Sequence, residues 1–64
     1  MRTEYTIKIT DNRGKEQFSV YPKKYADEKA EKAKEFYGKK DGYKVEYFKV
    51  LFNGNSFVKS EKIW

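Results

Sequence analysis

The chain has 64 residues, 15 of them Lys or Arg and 10 Asp or Glu, for a net charge of +5, and it contains no Cys and no His. That length holds one domain, residues 1–64, which buries only about 60% of the surface its unfolded form exposes and has no disulfide to support it. The missing Cys and His exclude thiol nucleophiles, imidazole acid–base chemistry and the common zinc ligand sets, so the six Tyr, five Phe and one Trp point to contact rather than chemistry.

Residues Thr3 to Thr10 alternate, with Tyr5, Ile7 and Ile9 on one side and Thr6, Lys8 and Thr10 on the other. This is the pattern of a half-buried strand. Asp11-Asn12-Arg13-Gly14 supplies turn chemistry, Gly being free to take positive φ. Glu16 to Tyr21 alternates again and reads as a second strand, Phe18 and Val20 inward, Gln17, Ser19 and Tyr21 outward. Pro22 ends it, having no N–H for the ladder.

A helix is predicted from Lys23 to Tyr37, closed by Gly38 at C′. At 100° per residue Ala26, Ala30, Ala33 and Tyr37 form its inner stripe. Asp27, Glu28, Glu31 and Glu35 lie opposite, with Lys24 among them. Tyr43 to Phe52 is the most apolar segment; its alternation breaks at Tyr47-Phe48, where a bulge or a strand covered on both faces is expected. Asn53-Gly54 is a hairpin turn, and Ser56 to Ile63 returns as the last strand.

The order ββαββ predicts an α+β fold, a single four-stranded sheet packed on one helix. This order, with a helix followed by a Gly and a short loop, resembles the β-grasp layout of the small immunoglobulin-binding domains of proteins G and L. The resemblance is topological, spans most of the length and brings no binding motif with it.

The serines Ser19, Ser56 and Ser60 have no His partner and no nucleophile-elbow sequence. Asp27, Glu31 and Glu35 read as a solvated helix face, and oxygen ligands alone lack a calcium-loop spacing. No enzyme activity, cofactor or metal is expected. No segment approaches the ~20 apolar residues of a membrane span, and the N-terminus does not read as a signal peptide. With the absence of Cys this fits a cytoplasmic protein.

Thirteen basic residues are Lys and only Arg2 and Arg13 are Arg, so bidentate base reading is not expected. Residues 1–22 carry +1, the helix +1 and residues 38–64 +3. Two candidate surfaces follow. The outward positions Lys8, Tyr21, Lys44 and Phe48 would form an aromatic and lysine-rich sheet platform. A ~22 Å helix leaving Pro22 runs back to the first turn, which would gather Lys39, Lys40, Arg13 and Lys15 at one pole, tempered by Asp11 and Asp41. The leading expectation is a small non-catalytic modulator of the phage or mobile-element type, docking on a protein partner such as nucleic-acid-handling machinery. The alternative is direct, sequence-independent binding of DNA or RNA, and a structural homodimer is the third.

Overall fold

The computed structural model describes all of residues 1–64. Two hairpins flank one helix: β1 (Arg2–Thr10), β2 (Glu16–Tyr21), α1 (Lys23–Tyr37), β3 (Lys44–Asn53) and β4 (Ser56–Lys62). The strands form one sheet in the order β2-β1-β3-β4, and all three pairings are antiparallel. Element order and a helix across one face are what the chain shares with the immunoglobulin-binding domains; here the last strand lies at a sheet edge. No helix is long and apolar enough to cross a membrane.

The first turn is built by Asp11. Its carboxylate accepts the backbone N–H groups of Arg13 and Lys15, both at 2.9 Å, and Gly14 takes φ +83°. In the second hairpin Asn53 pairs with Ser56. The two-residue loop is therefore Gly54-Asn55, with positive φ at Gly54 alone, the pattern of a type II′ turn.

Five side chains are buried: Tyr5 and Ile7 of β1, Tyr47 of β3, and Ala26 and Ala30 of α1. Ile9, Tyr21, Ala33, Val45 and Trp64 pack around them. The alanine stripe lets the helix sit directly on the sheet, both buried alanines being fully covered. Asp27 does not lie on the outer helix face as the wheel implied: it accepts a 2.9 Å hydrogen bond from the Tyr47 hydroxyl. The helix touches β1, β2 and β3 but not β4. Trp64 fills part of that gap, its carbonyl accepting the Tyr47 N–H at 2.7 Å and its ring 5.5 Å from the Tyr47 ring.

Three expectations need correction. The β2 phase is inverted. Tyr5 faces the helix and pairs directly with Tyr21, and residues opposite one another in an antiparallel pair share a face. Gln17, Ser19 and Tyr21 therefore lie on the helix side, while Phe18 and Val20 lie on the other, 62% and 55% exposed. At Tyr47-Phe48 there is no bulge: the ladder runs without interruption and β3 is a central strand, as the other alternative has it, with an aromatic on each face but a helix over only one of them. The register shift is at Leu51/Phe52, where Leu51 pairs with Lys59 and Phe52 with Phe57, leaving Val58 without a partner. Gly38 keeps a right-handed φ of −64°, and the chain reverses at Gly42, φ +81°.

Candidate functional site

With the helix on one side, the opposite sheet face has no second layer. Successive side chains of a strand point to opposite faces, so the register fixes its occupants. Phe18 and Val20 come from β2, Thr6 and Lys8 from β1, Glu46, Phe48, Val50 and Phe52 from β3, and Phe57, Ser60 and Lys62 from β4. Six of these are apolar. Phe57 is 62% exposed, like Phe18. At one end the Phe52 and Phe57 rings meet edge-on at 6.2 Å, and the Arg2 guanidinium lies 4.8 Å above the Phe52 ring. Further along, Thr6, Phe18, Phe48, Val50 and Ser60, with Lys8, line a shallow depression of about 260 Å³.

The charged side chains on this face pair with one another. Lys8 contacts Glu16 at 2.6 Å and Glu46 at 3.8 Å. Glu46, only 13% exposed, also receives Lys62 at 3.2 Å and Lys44 at 3.9 Å, and Arg2 contacts Glu4 at 3.0 Å. The hydrogen bond from Lys62, with the charges of Lys44, Lys62 and Lys8, holds the Glu46 carboxyl below the usual range against its own desolvation. The Glu16 hydrogen bond raises Lys8. Both groups stay charged and mutually neutralised at neutral pH.

Of the four platform residues expected from sequence, Lys8, Lys44 and Phe48 share this face. Tyr21 does not; it packs against the core under the helix. Phe18, Val20, Val50, Phe52 and Phe57 belong to the face and were missed. The strand alternation contains them all, but the β2 phase was decided on hydrophobicity, whereas the five-residue turn that pairs Thr10 with Glu16 sets it.

Of the four residues expected at the basic pole, the structure brings Lys15 and Lys40 together. Gly42 approaches Asn12 so closely that a Cβ added to it would lie 2.8 Å from the Asn12 Cβ, locking the α1–β3 loop onto the first turn. Lys15 and Lys40 thereby line one cleft of about 220 Å³. The Lys40 ammonium sits 4.8, 5.6 and 5.5 Å from the ring centres of Phe36, Tyr37 and Tyr43. Lys39 falls on the helix side of this pole, beside Lys32, Glu35 and Phe36, and Arg13 lies in the turn itself. None of Arg13, Lys15, Lys39 or Lys40 has a carboxylate within ion-pair distance. No three His, Cys, Asp or Glu side chains are grouped to hold a metal ion.

No protein-family model, curated protein or solved structure gives a significant match to the chain.

Proposed function

We propose that this chain is a small docking protein that binds a protein partner through its open sheet face, with Phe18, Phe48 and Phe57 as anchors. The uncovered row of apolar side chains opposite the helix carries the reading. Four strands ~4.8 Å apart, six residues each at ~3.4 Å, give the face about 400 Å² in plan, and the apolar side chains take up roughly half of it, within the range of the largest apolar patch on a monomer, which is often functional. Aromatic anchors of this kind dominate binding energy in protein interfaces. The fitting partner surface is apolar, because the cations of this face are already paired with Glu16 and Glu46. Contact without reaction is in keeping with shifted groups that are ion-paired or hydrogen-bonded in place. A modulator of the phage or mobile-element type, acting on nucleic-acid-handling machinery, is the setting proposed from size and Lys-rich composition.

Base stacking with phosphate tracking needs free cations beside the rings. On this face Lys8 and Lys62 are engaged by Glu16 and Glu46, and three carboxylates would oppose a phosphate chain. Direct nucleic-acid binding is the second reading, and the unpaired lysines at the pole are what favour it.

The test compares wild type with F18S/F57S by capture from source lysate at 0.1 and 0.5 M NaCl, beside gel shifts with DNA and RNA. A partner retained at high salt and lost with the double variant, whose urea midpoint is unchanged, supports the reading. A partner indifferent to the double variant overturns it, as does nucleic-acid binding that the double variant abolishes. Sedimentation showing a dimer dispersed by F18S/F57S would assign the face to a second copy instead.

A further inference from the structure

The cleft between the first turn and the α1–β3 loop has a different chemistry from the sheet face. Its volume is about 220 Å³, and Lys15, Gln17, Tyr37, Lys40 and Tyr43 line it above Ile9. These five polar side chains offer two ammonium groups, a carboxamide and two phenols, all donors. None has a hydrogen-bond partner within the chain, since the side-chain hydrogen bonds belong to Asp11, Tyr47 and Asp27. None has an ion-pair partner either. Donors without hydrogen-bond or ion-pair partners lining one small cleft, the Lys40 ammonium among them beside its aromatic rings, suit an oxyanion, whose oxygens only accept.

We propose that this cleft is an anion site that takes a phosphate group, with Lys15 and Lys40 supplying charge and Gln17, Tyr37 and Tyr43 supplying neutral donors. Two features oppose an anion here, and both are offset. Asp11 also lines the cleft, but one of its oxygens is committed to the amides of Arg13 and Lys15; its charge builds the turn that presents Lys15. The helix also ends at this pole, bringing the negative end of its dipole. There the Gly38 N–H bonds to the Lys34 carbonyl at 2.9 Å and the Lys40 N–H to the Tyr37 carbonyl at 3.0 Å, leaving fewer bare carbonyls. Two ammonium groups in the cleft face one carboxylate.

The site is assembled before any ligand arrives. The Gly42–Asn12 approach holds the two loops together, and the rings of Phe36, Tyr37 and Tyr43 hold the Lys40 ammonium. Tyr37 and Tyr43 stack on one another at 5.7 Å with 21° between their planes, which fixes the positions of both phenols. The shared chemistry is the phosphate group; its source is either free phosphate or a nucleotide.

The experiment is a titration of the 15N-labelled protein with inorganic phosphate, and separately with AMP, at ionic strength held constant with NaCl. Saturable amide shifts at Lys15, Gln17, Lys40 and Tyr43 are expected. K15Q and K40Q should each weaken binding by about tenfold, the loss of one unit charge at contact range in a partly exposed cleft. K59Q, remote and paired with Glu61 at 2.7 Å, should leave it unchanged. Lys15, unlike Lys40, makes no cation–π contact with the three rings, so K15Q removes charge without disturbing that contact. AMP binding several-fold tighter than phosphate assigns a nucleotide as source; equal binding assigns phosphate alone. Shifts that are linear and spread over every lysine, or that survive K15Q, overturn the proposal.

Discussion

Replacing Tyr47 by Phe tests the one hydrogen bond that ties helix to sheet. Tyr47 is 2% exposed, and its hydroxyl donates to Asp27 at 2.9 Å. Y47F keeps the ring and removes that bond, and Asp27 is exposed enough for water to replace it. The expected cost at pH 7 is about 1 kcal/mol, a fall in Tm of roughly 4–8 °C for a domain this small. A second effect has the opposite sign. Burial first, then the hydrogen bond and charge of Asp27, push the Tyr47 hydroxyl well above its ordinary pKa of 10.0. Below pH 10 the phenol is protonated in both the folded and the unfolded chain. Above it the unfolded chain releases the proton and the folded one keeps it, so stability falls by about 1.4 kcal/mol per pH unit. The Y47F variant has no such slope. The gap between the two proteins should therefore shrink from about 1 kcal/mol at pH 7 to near zero by pH 11. Other tyrosines and the lysines titrate in both proteins and cancel in the difference. Urea unfolding of both at pH 7, 9, 10 and 11 measures it. A gap that stays constant across this range, or is absent at pH 7, refutes the reasoning.

Phe18→Ala should change unfolding free energy by no more than about 0.5 kcal/mol, whereas a Phe packed under the helix would cost roughly 3–5 kcal/mol; urea titration separates the two placements. Gly42→Ala should destabilise more than Gly14→Ala, because both sit at positive φ but only Gly42 has a neighbour, Asn12, where the Cβ would go; the same unfolding assay ranks them. Glu46, held below the ordinary carboxylate range chiefly by Lys62, contributes stability that is present above its unfolded pKa of 4.5 and is lost as pH falls through its lower folded value. E46Q should therefore show a flatter acid limb in urea midpoints between pH 3 and 7, and 0.5 M NaCl should narrow the difference from wild type.

The elements were legible because each is written locally. The β1 alternation, the Pro22 stop and the alanine stripe each name their structure within a few residues; Asn53-Gly54 marked the second hairpin, although its two loop residues are Gly54-Asn55, and helix length alone placed Lys40 near Lys15. What failed was the choice between two phases of one strand. In β2, Phe18 and Val20 alternate with Gln17, Ser19 and Tyr21, so either face could be inside. Hydrophobicity favours Phe and Val. The structure decides otherwise because the Asp11 turn fixes which residue meets which across the hairpin, and because Tyr21 is followed at once by the helix it packs beneath. A one-residue change in pairing moves every side chain to the other face, so the expected platform, which rightly placed Lys8, Lys44 and Phe48 together, took in Tyr21 and left out Phe18 and Val20. The Tyr47-Phe48 pair was ambiguous for a related reason: a strand with an aromatic on each face imitates a bulge.

The inverted β2 phase also bears on function. Turning Phe18 and Val20 outward leaves a core of five buried side chains and an apolar face with no layer over it, an arrangement that loses burial unless something else covers the face. The electrostatics of the two candidate surfaces then diverge. On the sheet, Lys8 and Lys62 meet carboxylates, so little net field extends outward and a partner docked there would be held by apolar contact. At the pole the four basic side chains lack such partners, and their field reaches as far as screening allows, about 10 Å at 0.1 M salt and 3 Å at 1 M. Salt therefore separates the two surfaces: raising it should collapse phosphate binding in the Lys15–Lys40 cleft while leaving docking on Phe18, Phe48 and Phe57 intact. A single ligand whose binding depended on both surfaces would show an intermediate salt slope, and both K15Q and F18S would reduce it.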